Sequence, residues 1–289
     1  MTTPCPLPAD QPRVRIRMDL AYDGTDFSGW AAQPGLRTVE GEVSAALGTI
    51  LRSDPVRLTV GGRTDAGVHA RGSVAHVDVN RAAWAGLPGR SDRPPQEAAV
   101  TRLAGVLPAD IVVRAVTPVS DDFDARFSAL QRRYTYRICD RPATLDPLRR
   151  RDTVLHKKPL DAEAMDEAAR KLTGLHDFAA FCKKRDGATT VRTLLDYSWE
   201  RGEDGILTGT VVADAFCHSM VRALVGSVVP VGEGEYAVGW PREILTTGVR
   251  DPRVTVMPAK GLCLEEITYP PDEALADRAE QARATRRLP

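Results

Sequence analysis

No apolar run in this chain approaches the roughly 20 residues a helix needs to cross a bilayer, which argues against a helical membrane protein. Net charge is absent as well: 39 Lys and Arg balance 39 Asp and Glu, so the simplest signature of a nucleic-acid binder is missing. Aromatics make up only 6% of residues, few for a module that stacks bases along an aromatic sheet face. The cysteines, Cys5, Cys139, Cys182, Cys217 and Cys263, form no Cys-x-x-Cys pair and have no histidine at zinc-site spacing. An odd, scattered set argues for a reducing, cytoplasmic compartment and against a disulfide framework or a metal site. Met1 to Pro12 is proline-rich and lacks the apolar core of a secretion signal, so it reads as a disordered tail.

What is present suits two modest domains within 289 residues. Charge is unevenly spread. Ten Arg or Lys fall between Ala125 and Lys158 against three acids, Asp140, Asp146 and Asp152. Lys183-Lys184-Arg185 and Arg283, Arg286 and Arg287 add smaller basic groups. Such separation gives a neutral protein a phosphate-binding face, although a charge run is often just a solvated surface.

Periodicity supplies the elements. Arg13 to Tyr22 alternates strictly, as a half-buried strand does, and Asp23 to Asp26 makes a turn. Val39, Val43, Leu47 and Ile50 form a helical stripe. Strands are expected over 56–61, 73–79 and 111–116, a surface loop over the Gly- and Pro-rich 81–95, and a helix over 96–107. The second half has a strand through Tyr134, Tyr136 and Ile138 and a helix over 161–173. A hairpin of 194–200 with 206–213 turns at Gly202–Gly205, followed by an apolar helix from Cys217 to Val229. A short helical turn over 243–247 and a strand over 261–269 close the chain. This mixture predicts two α+β domains with antiparallel sheets, over 13–118 and 119–272, with a tail over 273–289.

Residues 61–70 read Gly61-Gly62-Arg63-Thr64-Asp65-Ala66-Gly67-Val68-His69-Ala70. A carboxylate lies two positions after a cation and between glycines, which let backbone approach a ligand closely. Expected strands on both sides make this a sheet-end loop displaying Asp65. A turn-forming aspartate is the plain alternative. Arg222 sits in an otherwise apolar helix, where a cation is costly unless paired or snorkelling to water. Tyr134 alternates with Tyr136 in its strand, where core packing alone would account for both. His69, His76 and His218 show no triad or metal spacing and read as structural. Asp23-Gly24-Thr25 lacks the nucleophilic aspartate a phosphatase motif needs, since Ala21 stands there.

The decapeptide around Asp65 resembles the catalytic loop of the tRNA pseudouridine synthases of the A type. Ala21 to Trp30 resembles that family's opening strand and turn. Asp124 to Ala129 with Arg132-Arg133-Tyr134-Thr135-Tyr136 is similar to its central motif, and Ala215 to Gly226 to its late helix. The motifs stand in family order. The resemblance implies two related domains whose antiparallel sheets join into one large central sheet. Helices would lie on one side, with the active-site cleft across the seam. It implies isomerisation of uridine to pseudouridine at positions 38, 39 and 40 of the tRNA anticodon stem-loop by a homodimer, with no cofactor or metal. Asp65 would then be the nucleophile or base at the ribose, kept charged by Arg222. Arg63 would displace the target base, Tyr134 would pack against the flipped uracil, and Arg126 and Arg133 would contact the RNA. A non-catalytic RNA-binding module of two α+β domains is the competing expectation.

Overall fold

A computed structural model describes residues 12–183 and 189–283. The expected tail before Pro12, and the basic residues Lys184, Arg185, Arg286 and Arg287, lie outside them. The chain folds as two compact α+β units, one running to Leu130 and including Ile267–Arg283, the other spanning Gln131–Glu266.

The first unit begins with β1 (Arg13–Tyr22), in which Ile16, Met18 and Leu20 are fully buried on one face. Arg15 on the other face is ion-paired to Asp78 at 2.7 Å. Thr38 caps α1 (Val39–Leu51), its side chain accepting from the Gly41 amide, and the helix buries the expected stripe of Val39, Val43, Leu47 and Ile50. Only β2 (Thr59–Val60) forms ladder bonds in the region where 56–61 was expected to be extended. It precedes β3 (His69–Asn80), longer than expected and largely buried.

The expected loop over 81–95 is corrected at its start. The Asn80 side chain accepts from the Ala82 and Ala83 amides, nucleating α2 (Arg81–Ala85), which buries Trp84; Leu87 beyond it is also buried. An N-cap with apolar anchors outweighs the Gly and Pro composition that follows. Then come α3 (Pro95–Val106), with Pro at its first turn, and β4 (Ile111–Val119). Strand order in this unit is β4–β1–β3, antiparallel, with β2 on β3.

The second unit contains β5 (Gln131–Cys139), β6 (Val154–Leu155), α4 (Ala162–Arg170), β7 (Gly174–Asp177), β8 (Val191–Arg201) and β9 (Leu207–Ala213). These are followed by α5 (Met220–Gly232), α6 (Trp240–Thr247) and β10 (Leu262–Thr268), whose last two residues are counted with the first unit. Its strand order is β10–β5–β9–β8–β7, with β6 parallel to β5. The β8–β9 hairpin turns over Gly202–Gly205 as expected. Tyr136, Tyr197 and Ile138 are fully buried. Cys182 and Cys217, far apart in sequence, come together with Cα atoms 5.8 Å apart. A one-turn helix ending at Phe181 and the segment leading into α5 bring together residues that no spacing rule links.

The chain end also differs from expectation. Instead of a tail from 273, Leu275–Arg283 forms α7, with Leu275 and Ala279 buried against the first unit. Ser128 donates to the Leu275 carbonyl at 3.2 Å, and Arg278 donates to that of Ala129 at 3.1 Å. The division between units accordingly falls after Leu130 and again before Ile267, not at 118.

Candidate active site

The loop carrying Asp65 is built on the turn that follows β1. Trp30 donates its amide to the Thr64 carbonyl at 3.0 Å, and Gly67 donates to the Phe27 carbonyl at 3.3 Å. The hydroxyls of Tyr22 and Thr64 meet at 2.8 Å in the buried interior. Gly24 lies against the loop so closely that a Cβ there would sit 2.0 Å from the Val68 carbonyl oxygen. Gly29 holds φ +94° beside the Thr64 carbonyl, a conformation that disfavours a side chain. Within the loop, Gly67 at φ +77° allows the Val68 amide to turn back onto the Asp65 carbonyl at 3.2 Å.

These bonds bury Thr64 and Val68 while leaving Asp65 half-buried and Arg63 exposed. Asp65 is therefore carried on backbone fixed on both sides, the arrangement an aimed reactive group needs. His69 closes the far end. Its Nδ1 lies 3.0 Å from the Gly24 amide and 3.1 Å from an Asp23 oxygen; the tautomer decides whether it accepts from one or donates to the other. Asp23 also accepts from the Thr25 amide at 3.0 Å. Both residues thus have structural partners, as their sequence context suggests.

The near end of the loop is held from a second direction. A Cβ on Gly61 would meet the Ala125 carbonyl and the Tyr269 hydroxyl, both at 2.7 Å. Tyr269 donates to that same carbonyl at 2.7 Å, and His76 Nδ1 accepts from the Ala125 amide at 3.0 Å. The segment bearing Arg126 is in this way anchored beside the start of the Asp65 loop. Sequence reasoning gave no role to Tyr22 or Tyr269 and only a structural one to His76. Tyr269 lies some 200 residues beyond the loop it touches, and no local pattern links them.

In the second unit, β5 alternates as a strand should. Arg132 is buried and donates to the Asp214 carbonyl at 2.6 Å, whereas Arg133 faces outward and pairs with Glu266 at 3.2 Å. Tyr134 is 6% exposed, its ring edge-on to Phe216 at 5.1 Å between centroids. Tyr136, fully buried, donates its hydroxyl to the Pro258 carbonyl, and burial pushes that phenol well above its ordinary value. Tyr136 is a packing tyrosine.

Arg222 lies in the first turn of α5, where its Nε donates to the Met257 carbonyl at 2.6 Å and its own carbonyl accepts from the Met257 amide. One turn on, a Cβ on Gly226 would fall 1.7 Å from the Thr255 carbonyl oxygen. Only glycine lets the helix lie so close to the 254–257 backbone that anchors Arg222. Asp65, Arg63 and Arg126 therefore belong to the first unit, and Tyr134, Arg133 and Arg222 to the second.

A family model described as tRNA pseudouridine synthase matches residues 168–270. The chain is 54% identical over 279 residues to the tRNA pseudouridine synthase A of Streptomyces avermitilis, spanning 96% of this chain and 95% of that one. It is 45% identical over 276 residues to the protein of the same name from Mycobacterium leprae, with 94% and 96% covered. The chain belongs to the tRNA pseudouridine synthase A family. The region matched by the family model takes in α5 with Arg222 and Gly226. The Asp65 loop and the opening turn lie within the longer span shared with the relatives, which covers nearly the whole chain. Among the described residues, no helix is long and apolar enough to cross a membrane.

Proposed function

We propose that this tRNA pseudouridine synthase acts through Asp65, whose carboxylate works at the ribose of a uridine in the anticodon stem-loop, at positions 38, 39 and 40. The observation that carries this reading is the loop itself, bonded to the opening turn on both sides of half-buried Asp65.

The reaction breaks the C–N glycosidic bond, rotates the freed uracil and joins its C5 to the same sugar carbon. Nothing is oxidised and no group is imported. Uracil departs as a delocalised anion, so the strong general acid of ordinary glycoside hydrolysis is less needed. One carboxylate near C1′ and C2′ suffices, as nucleophile at C1′ or as base at the 2′ position. Exposed Arg63, two residues away, fills the gap left by an extruded base. Tyr134 offers a ring held by Phe216 as a platform for the flipped uracil. Arg222, tethered to Met257, supplies the cation that orients the carboxylate. Arg126 and Arg133 contact the phosphate backbone. The enzyme works in the cytoplasm, where its substrate is found, and as a homodimer, a state light scattering would read directly.

The test is release of tritium from C5-labelled uridine in a tRNA transcript. Asp65→Asn lowers the rate by at least about 10³-fold, the scale of losing a group that acts on the reacting atoms, while tRNA affinity stays within several-fold. Undiminished release by the variant would remove Asp65 from the mechanism. Wild-type binding without release would favour the non-catalytic module, a reading that relatives named as synthases do not support.

A further inference from the structure

We propose that Arg283, at the end of α7, joins Arg126 and Phe127 in a phosphate-gripping subsite for the tRNA backbone beside the Asp65 loop. The proposal rests on the tRNA reading above and extends it to a helix that the sequence pattern leaves in the tail.

Two guanidinium groups share one ring. The Arg126 guanidinium carbon lies 4.9 Å from the Phe127 ring centroid, and that of Arg283 lies 5.0 Å from it. Both arginines are exposed and Phe127 is half-buried. Asp124 lies beside the pair, and both its oxygens are engaged. Oδ1 accepts from the Arg126 and Phe127 amides at 2.8 and 2.9 Å, and Oδ2 pairs with Arg283 at 3.3 Å. Two exposed guanidinium groups gathered on one ring concentrate positive charge at this place, an arrangement that suits a phosphate.

Stacking on the ring pre-orders the planar guanidinium forks, so less side-chain freedom is lost when they grip a phosphate bidentately. The ring, covered by guanidinium groups, is not offered as a platform for a base. The ligand is therefore backbone phosphate, and the contact carries no sequence preference. Its position follows from Ala125, the residue before Arg126, whose carbonyl is bonded to Tyr269 and abuts Gly61 at the start of the catalytic loop. An RNA strand entering toward Asp65 passes this pair.

The experiment uses the full-length chain, wild type and Arg126→Gln, Arg283→Gln, Arg283→Lys and Phe127→Leu, with a tRNA transcript. Dissociation constants are measured across a KCl series alongside tritium release. Each Gln variant lowers the slope of log affinity against log salt by about 0.7–0.9, the loss of one phosphate contact. It also raises KM several-fold, with kcat within about two-fold. Arg283→Lys keeps most of the slope, because the charge remains. Phe127→Leu weakens binding with the slope intact, because only the pre-ordering is lost. An unchanged slope and KM in both Gln variants would overturn the proposal, as would a fall confined to kcat. A drop in melting temperature without a change in affinity would reduce Arg283 to a helix-end partner of Asp124. Failure of the synthase reading is separately visible as wild-type protein that releases no tritium, and the salt slopes still decide the subsite.

Discussion

Two glycines differ sharply in what a single methyl group would do. At Gly24 an added Cβ would lie 2.0 Å from the carbonyl oxygen of Val68, a backbone atom that can retreat only by moving the Asp65 loop. Gly24→Ala is expected to cost at least about 2 kcal/mol, within the range of forced overpacking, and to lower tritium release at temperatures where the variant is still folded. At Gly105, exposed in α3, a Cβ meets nothing within 4 Å. Gly105→Ala should stabilise the chain by about 0.5–1 kcal/mol through helix propensity alone. Urea unfolding of the pair checks both signs, and equal effects would show that the contact with Val68 yields freely. The sequence displays the glycines and Asp65 together, because a reactive loop must be spelled out in consecutive residues. It does not display Tyr22 and Tyr269, whose contribution is a hydroxyl delivered from elsewhere in the fold.

Elements whose pattern is local were legible: alternation in β1 and β5, the apolar stripe of α1, the glycine turn between β8 and β9. Where a single cap or a distant partner decides the outcome, composition misleads. Asn80 starts α2 inside a stretch that reads as loop, and β2 keeps only Thr59 and Val60 in its ladder with β3. β3 also carries a pH dependence through His76. This imidazole is buried and accepts the Ala125 amide through Nδ1, with the Phe123 ring edge-on at 6.0 Å. Burial, then the nearby Arg15 cation, hold it below the ordinary value of 6.5, while Asp124 and Asp78 pull the other way. The unfolded chain therefore takes up this proton more readily than the folded one. The contribution of neutral His76 is complete above about pH 6.5 and is lost as pH falls through that value toward the depressed folded one. His76→Gln should unfold about 1–3 kcal/mol more easily at pH 8, from a disturbed buried bond to Ala125. The gap to wild type should narrow by pH 5. A gap that stays constant between those pH values in urea titrations would exclude His76 as the titrating group.

For the molecule as a whole, the chain does not divide at one point along its length. Its last described stretch, Ile267–Arg283, returns to the first unit, and periodicity carries no record of so long a return. α7 is short and highly charged, which is why it reads as a tail; only Leu275 and Ala279 go inward. Its hold on the unit is specific nonetheless, through Ser128 to the Leu275 carbonyl and Arg278 to that of Ala129. These bonds secure the 124–130 segment that carries Arg126 and rests on the loop at Gly61. A chain ending at Pro271 keeps Tyr269 but loses the helix. Loss of the buried Leu275 side chain alone is worth about 1.5–3 kcal/mol. Hydrogen exchange should therefore accelerate over 123–130 in the truncated chain, with β8 and β9 keeping their protection because their partners lie in the other unit. Unchanged protection over 123–130 would mean that α7 rests on this segment without supporting it. Faster exchange in β8 and β9 as well would mean that the helix stabilises the entire chain cooperatively.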